Sequence, residues 1–209
     1  MQFDRDKSEI GLLYGLISKV RAMLLLKEMV REGWVKPEAD YGSFQAQLKR
    51  VPADATHLVI SIGGNDALGY VDLLSKRVDN SGAALALFAA PLDRFTLDYE
   101  EALSAAIALR KPVIVCTIYN GNLERSVATA ARIALALFND VIQRAANHHG
   151  VPVIELRSIC VEAGDYANPI EPSGPGGLKI ARAIASAISS RDGAARTADA
   201  VSDPAGRVP

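Results

Sequence analysis

The pattern of apolar positions along the chain predicts three buried strands, at residues 57–62, 112–119 and 151–156. Each segment is short, rich in β-branched residues and bordered by turn-forming residues, and none alternates regularly between apolar and polar positions. Strands without such alternation are buried on both faces, which is typical of a parallel sheet covered by helices. We therefore expect a parallel sheet in the interior of the domain.

The stretches between and after these strands carry apolar residues at helical spacing, at 98–110, 126–147 and 177–189. The first two are long enough to be the crossover connections that parallel strands require. Strands that alternate with helices predict an α/β domain with right-handed crossovers. The expected architecture is a three-layer α/β/α sandwich with a mostly parallel sheet.

The two ends of the chain differ from this core, which the pattern places at residues 51–189. Residues 190–209 contain almost no large apolar side chain and are predicted to form a disordered tail. Residues 1–50 are interpreted as an atypical N-terminal segment of the same domain. Within this segment, residues 8–32 can be drawn as one long helix, or residues 21–26 can form a strand after a shorter helix.

Composition and charge narrow the possible functions. The chain has 209 residues, with 23 Lys and Arg against 24 Asp and Glu and a formal net charge of −1. This balance argues against a nucleic-acid-binding protein, which usually carries a basic excess. No apolar run reaches the roughly 18 residues of a membrane-spanning helix, and the first residues lack the pattern of a secretory signal. We therefore expect a cytoplasmic protein.

The cysteines and histidines exclude several kinds of site. Cys116 and Cys160 are too few for a disulfide framework or a cysteine zinc site, and they resemble the small buried apolar residues of a reducing compartment. His57 begins a predicted strand, while His148 and His149 end a predicted helix, where a cation complements the helix dipole. The sequence has no metal-ligand spacing and no phosphate-binding glycine pattern, so we expect neither a metal nor another cofactor.

The most informative motif is the turn Gly63-Gly64-Asn65-Asp66, directly after the first predicted strand. Ligand sites of open α/β sheets lie at the carboxyl ends of the strands, where this motif is expected. Two glycines allow the backbone to turn sharply, and the Asn65 amide can donate hydrogen bonds to a developing oxyanion. The same residues also suit a tight turn that caps the following helix, because Asn and Asp are good cap residues.

Several segments together resemble a known family, the SGNH (GDSL-type) hydrolases. The turn 63–66 is similar to the G-x-N-D block of that family. The segment 165–173, followed by the glycine-led segment 176–181, is similar to the family's last block. Segments 116–120 and 138–140 also lie where these proteins have a strand end and a helix.

This resemblance covers about residues 52–188. It implies a flavodoxin-like three-layer sandwich that hydrolyses ester bonds of a small-molecule substrate through a serine nucleophile. It also implies that Asn65 is the side-chain oxyanion donor and that Gly63 shapes the loop around it.

The chain departs from the family pattern at the nucleophile. The family's serine lies in a Gly-Asp-Ser element near the N-terminus, and no Gly-Asp-Ser occurs in this sequence. The serines that precede the Gly63 turn are Ser8, Ser18, Ser43 and Ser61. Strand alternation is expected to direct Ser61 into the packed layer. A serine becomes nucleophilic beside a base, and no residue adjacent to these serines supplies one.

The second departure concerns the general base. The family has a histidine before Pro-Ser and an acid three residues earlier, whereas this chain has Glu171 before Pro172-Ser173 and Asn168 in place of the acid. A carboxylate can act as a general base in suitable surroundings, so Glu171 and its upstream neighbour Asp165 are catalytic candidates. Alternatively, Glu171 is an exposed loop acid and Asp165 caps the loop.

These observations are compatible with candidate functions of different kinds, an enzyme or a binding protein. The first is an ester hydrolase in which Glu171 replaces the histidine, and the second is a non-catalytic relative that keeps Asn65 and its pocket for binding or assembly. A nucleotide-binding flavodoxin-like module shares the architecture, but a phosphate-binding loop after the first strand is not visible. An unpaired sheet edge at the atypical N-terminal segment could associate with another copy of the chain as a homo-oligomer.

Overall fold

The structure, a computed structural model, describes residues 44–201, and beyond Ser190 it describes the backbone alone. It contains one sheet of three strands: β1 Leu58–Ile60, β2 Val113–Cys116 and β3 Val153–Ile154. The strands are parallel and lie in the order β1-β2-β3. The parallel sheet predicted from the apolar runs is therefore confirmed.

Each strand is shorter than the apolar run that predicts it, so the predicted ends of 57–62, 112–119 and 151–156 are wrong. Pro112 and Pro152 have no N–H to donate, and in the structure they only accept hydrogen bonds from the neighbouring strand. An apolar run indicates which residues are buried. The predicted strands are too long because buried residues continue beyond the last residue that is hydrogen-bonded to the neighbouring strand.

The helices within the described range surround this sheet. They are α1 Phe44–Leu48, α2 Gly64–Leu68, α3 Ser81–Ala86, α4 Ala89–Ile107, α5 Arg125–His148 and α6 Gly174–Val201. Short 3-10 turns lie at Val71–Ser75, Leu156–Ser158 and Ala163–Asp165. The prediction for α5 is correct to within one residue at each end.

The predicted bounds of α4 and α6 need correction. Both helices begin earlier than predicted, with Pro91 and Pro175 in their first turns. Proline is compatible with a first turn, because the N–H groups there have no partner within the helix. The backbone of α6 continues beyond the predicted end at Ser189 to Val201, and residues 202–209 lie outside the described range, as do residues 1–43.

Alternate residues of the strands face opposite sides of the sheet and enter two separate cores. On one side Leu58, Ile60, Val113 and Val115 pack with Phe95, Tyr99 and Leu103 of α4 and Phe138 and Ile142 of α5. On the other side Val59, Ile114, Cys116 and Ile154 pack with Ile180, Ile184 and Ile188 of α6. Helices on both faces of a parallel sheet make three layers, as the sequence predicts.

The two cysteines are buried free thiols, as expected. Burial raises the pKa of Cys116 to about 12, and burial together with nearby Asp165 raises that of Cys160 to about 11. Both thiols therefore stay protonated at neutral pH. In the described part of the chain, no group of His, Cys, Asp or Glu side chains is arranged to hold a metal ion. No helix in that part has the length and apolar character needed to cross a membrane.

Candidate active site

A cleft of about 950 Å³ lies at the carboxyl ends of the strands. Its lining includes residues 61–66 after β1, residues 118–120 after β2 and Glu171 from the loop before α6. Ligands of open α/β sheets bind at this edge, because the loops that follow the strands meet there. Among the predicted site residues, Gly63, Asn65 and Glu171 line this cleft, and Asp165 does not.

Gly63 makes the turn between β1 and α2 possible. Its φ is 106°, a conformation that side chains disfavour. A Cβ atom here would lie 2.8 Å from Cζ of Phe95 and 3.2 Å from Cδ1 of Ile118. Both the backbone conformation and the close approach of these two side chains require glycine at this position.

Asn65 lies in the first turn of α2, where its side chain is exposed at the cleft. No donor or acceptor in the described range is bonded to its side-chain amide, so both amide N–H groups are free to meet a ligand. The capping alternative is correct in that this tight turn begins α2, but neither Asn65 nor Asp66 caps the helix with its side chain. The residue at the N-cap position of α2 is Gly63, and no side chain caps the helix.

Glu171 is held by a small closed loop. Tyr166 and Pro172 form an isolated antiparallel bridge, and the Ala167 N–H donates to the carbonyl of Glu171 at 2.9 Å. The Asn168 side chain donates to the Glu171 carboxylate at 2.6 Å and accepts from the Glu171 N–H at 2.9 Å. Asn168 therefore fixes the orientation of the Glu171 carboxylate.

The segment after β2 anchors this loop at the cleft. The Asn122 N–H donates to the carbonyl of Pro169 at 2.8 Å, and the Tyr119 hydroxyl donates to the carbonyl of Ile170 at 2.9 Å. Gly121 has a φ of 74°, and a Cβ atom there would lie 2.7 Å from the same Pro169 oxygen. Glu171 therefore reaches the cleft through direct contacts between two loops that are distant in sequence.

Asp165 has a different environment from Glu171. Its side chain is buried, and one carboxylate oxygen accepts hydrogen bonds from the N–H groups of Val161 and Glu162, each at 3.0 Å. The other oxygen pairs with Lys179 of α6 at 2.7 Å. Burial by itself raises the pKa of Asp165, but the Lys179 and backbone hydrogen bonds outweigh it and lower the pKa. These contacts favour the alternative in which Asp165 caps the loop.

Asn139 of α5 is a positioning residue whose role the sequence analysis did not identify. It is completely buried, and its side chain accepts from the Ile118 N–H at 2.7 Å and donates to the Ile118 carbonyl at 2.9 Å. The segment that follows β2 is thereby fixed where it enters the cleft. An asparagine on the otherwise apolar buried face of a predicted helix is the sequence signal for such a clamp.

The structure corrects the expectation for Ser61. β1 ends at Ile60, so Ser61 lies beyond the strand, and its half-buried side chain lines the cleft instead of entering the packed layer. No carboxylate or imidazole in the described range is hydrogen-bonded to its hydroxyl. The other serines that precede the turn, Ser8, Ser18 and Ser43, lie outside the described residues.

None of the three histidines is among the described residues that line the cleft. His57 precedes β1 and its ring nitrogen lies 3.2 Å from the Thr56 hydroxyl. His149 follows the last turn of α5 and pairs with Glu100 of α4 at 2.9 Å. In the described structure, therefore, no histidine lies in the cleft where it could act as a general base.

Comparisons with known proteins agree with this architecture. The chain matches the sequence profile of the GDSL-like lipase/acylhydrolase family over residues 36–175. It is similar in fold to an acetyl xylan esterase, AlAXEase, at 13% identity and a TM-score of 0.53, over 84% of this chain and 91% of that one. Phospholipase A1 from Streptomyces albidoflavus NA297 is similar at 15% identity and a TM-score of 0.50, over 77% of this chain and 75% of that one.

A third solved structure, an alpha/beta hydrolase enzyme from the metagenome of Lake Arreo in Spain, has 18% identity and a TM-score of 0.50. The match covers 79% of this chain and 80% of that one. No curated protein matches the chain. Structural similarity at these identities shows the fold, whereas the profile match spans most of the chain and includes both Asn65 and Glu171. The chain belongs to the GDSL-like lipase/acylhydrolase family.

Proposed function

We propose that this protein hydrolyses carboxylic esters of small molecules in the cleft, with Asn65 as oxyanion donor and Glu171 as general base. The observation that carries the proposal is that the free Asn65 amide and the oriented Glu171 carboxylate line the same cleft, beside the required turn at Gly63. Membership of a family of lipases and acylhydrolases supports the reaction class.

The proposed reaction starts with attack of a hydroxyl oxygen on the ester carbonyl carbon. The attacking group forms the new C–O bond and passes its proton to Glu171, while the carbonyl π electrons move onto oxygen. The Asn65 N–H groups stabilise this oxyanion. When the intermediate collapses, the ester C–O bond breaks and the departing alkoxide takes the proton from Glu171.

The attacking hydroxyl belongs either to a serine or to water, and labelling distinguishes them. A fluorophosphonate forms a covalent bond with an activated serine, and mass spectrometry of the digested protein locates the modified residue. A single labelled serine identifies a covalent mechanism, in which water then attacks the acyl-serine carbonyl, gives a proton to Glu171 and releases the acid as the Ser–O bond to the acyl carbon breaks and the serine takes that proton. Turnover without labelling indicates direct attack by water. A single tetrahedral intermediate then forms and breaks down to the acid and the alcohol.

Substitutions test the two assigned roles. We expect Asn65→Ala to lower kcat by about 100-fold or more, the effect of losing one oxyanion donor. We expect Glu171→Gln to abolish turnover, because an amide takes up no proton from the attacking group. Asn147→Ala and Glu101→Gln are matched controls at exposed positions outside the cleft. Unchanged hydrolysis of p-nitrophenyl butyrate by folded Asn65→Ala would remove this residue from the mechanism.

One observation favours the alternative, a non-catalytic relative that uses the cleft for binding. In the part of the chain that the structure describes, no cleft serine is hydrogen-bonded to a carboxylate or an imidazole. A folded protein that neither labels nor turns over aromatic or aliphatic esters, yet still binds ligands in the cleft, would support this alternative. The cytoplasmic location and the homo-oligomer remain predictions.

A further inference from the structure

The cleft combines aromatic rings with carboxylates. The rings of Phe44, Tyr70, Phe88 and Tyr119 line it and are half-buried, so each has part of its surface open. The faces of aromatic rings carry negative partial charge and attract organic cations, most strongly quaternary ammonium groups. The same rings provide apolar contact for the methyl groups of such a cation.

The charged residues among the described lining of the cleft have one sign. Asp66, Asp72, Asp98 and Glu171 line it, and no Lys or Arg is among its described lining residues. Asp98 is paired with Arg94 at 2.7 Å on the exposed surface, so its charge is offset. Asp66, Asp72 and Glu171 have no ion-pair partner in the described range, so the described lining carries a net negative charge.

A third observation concerns the buried side of the cleft. Tyr99 is among the lining residues and is 2% exposed, and its hydroxyl is a buried polar group without a hydrogen-bond partner in the described range. Burial raises the pKa of Tyr99, which keeps the hydroxyl protonated and able to donate. An unpaired buried hydroxyl is costly, and Tyr99 therefore leaves an unused hydrogen-bond donor in the wall of the cleft.

We propose that the cleft selects esters whose alcohol part carries an organic cation, a quaternary or protonated amine, and rejects anionic esters. The proposal deepens the proposed function, since it names the substrate class of the same site. The carboxylates attract the positive charge, the aromatic rings contact its alkyl groups, and an anionic group would be repelled by the charged residues of the described lining. A neutral ester of the same shape keeps the apolar contacts with the rings but loses the electrostatic attraction to the carboxylates.

Binding of matched ligands tests the charge preference without requiring turnover. Choline, 3,3-dimethylbutan-1-ol and 3,3-dimethylbutanoate share a trimethyl headgroup and differ in charge. We expect nuclear magnetic resonance titrations at low salt to give choline a Kd about 2- to 30-fold lower than the neutral alcohol, with the anion weakest. In about 0.5 M salt the difference should shrink, because exposed carboxylates are screened.

Variants assign the preference to the cleft. Asp66→Asn and Asp72→Asn are exposed substitutions, and each should weaken choline binding several-fold while leaving the neutral alcohol unchanged. Asp93→Asn, at an exposed residue of α4 outside the cleft lining, is the matched control and should change neither. Equal or tighter binding of the neutral alcohol, or an equal effect of Asp93→Asn, overturns the proposal.

Hydrolysis supplies the second readout. We expect the kcat/KM for butyrylcholine to exceed that for its neutral isostere, 3,3-dimethylbutyl butyrate. The ratio should equal the ratio of the two headgroup Kd values. Selective choline binding without turnover of either ester would uphold the charge preference and refute the hydrolase function. Turnover of both esters at equal kcat/KM, with equal binding of the headgroups, would uphold the hydrolase and refute the preference.

Discussion

Replacement of Gly63 by alanine tests whether the turn after β1 depends on glycine for two separate reasons. The first is the φ of 106°, which costs an L-residue about 1–3 kcal/mol. The second is steric: the new Cβ would lie 2.8 Å from Cζ of Phe95 and 3.2 Å from Cδ1 of Ile118. The Phe95 ring is 4% exposed and packs against Tyr99 and Phe138 at centroid distances of 5.6 and 5.2 Å, so it has little room to yield.

Crowding of this kind in a packed core costs about 1–3 kcal/mol, so the two effects together give a destabilisation of about 2–6 kcal/mol. That is a large part of the stability of a typical domain, about 5–15 kcal/mol. Because Asn65 follows the turn directly, the displaced turn should also move the amide that we assign to the oxyanion.

Urea unfolding followed by circular dichroism measures the loss of stability, and two other glycines separate its causes. Gly150→Ala has a φ of 63° with nothing within 4 Å of the new Cβ, so it reports backbone strain alone, about 1–2 kcal/mol. Gly164→Ala has neither a positive φ nor a close neighbour and should change stability little. If Gly63→Ala is no more destabilising than Gly150→Ala, the inferred contact with Phe95 is refuted.

Two further predictions concern the residues that hold the loops. Asn139→Leu should lower the free energy of unfolding by about 2–4 kcal/mol, because the Ile118 N–H and carbonyl lose their hydrogen-bond partner. The control Asn147→Leu, at an exposed position of α5, should leave the free energy of unfolding unchanged. The folded-state pKa of Asp165 is lowered, so the Lys179 pair stabilises the fold above the unfolded pKa of about 4, and this contribution disappears as pH falls through the folded pKa. In urea melts across acidic pH, Asp165→Asn should be less stable than the wild type above pH about 4 and should lack that decline; parallel profiles would contradict the assignment.

The sequence by itself determined the class of the fold. Runs of β-branched residues without alternation identify strands buried on both faces, and the helical segments between them leave few topologies open. It also identified the Gly63 turn and placed Asn65 at the carboxyl edge of the sheet. These features depend on residues that are neighbours in the chain, and local pattern reports them well.

Tertiary structure decided which of the candidate residues share one environment. Asp165 and Glu171 are six positions apart, yet the first is buried against Lys179 and the second reaches the cleft. Ser61 belongs to an apolar run, but the ladder ends one residue before it and its side chain turns to the cleft. Such outcomes depend on where hydrogen-bonded pairing stops and on contacts between loops distant in sequence, as between Tyr119 and Ile170. The local pattern of apolar residues indicates which residues are buried. It does not show where strand pairing stops or which distant loops come into contact.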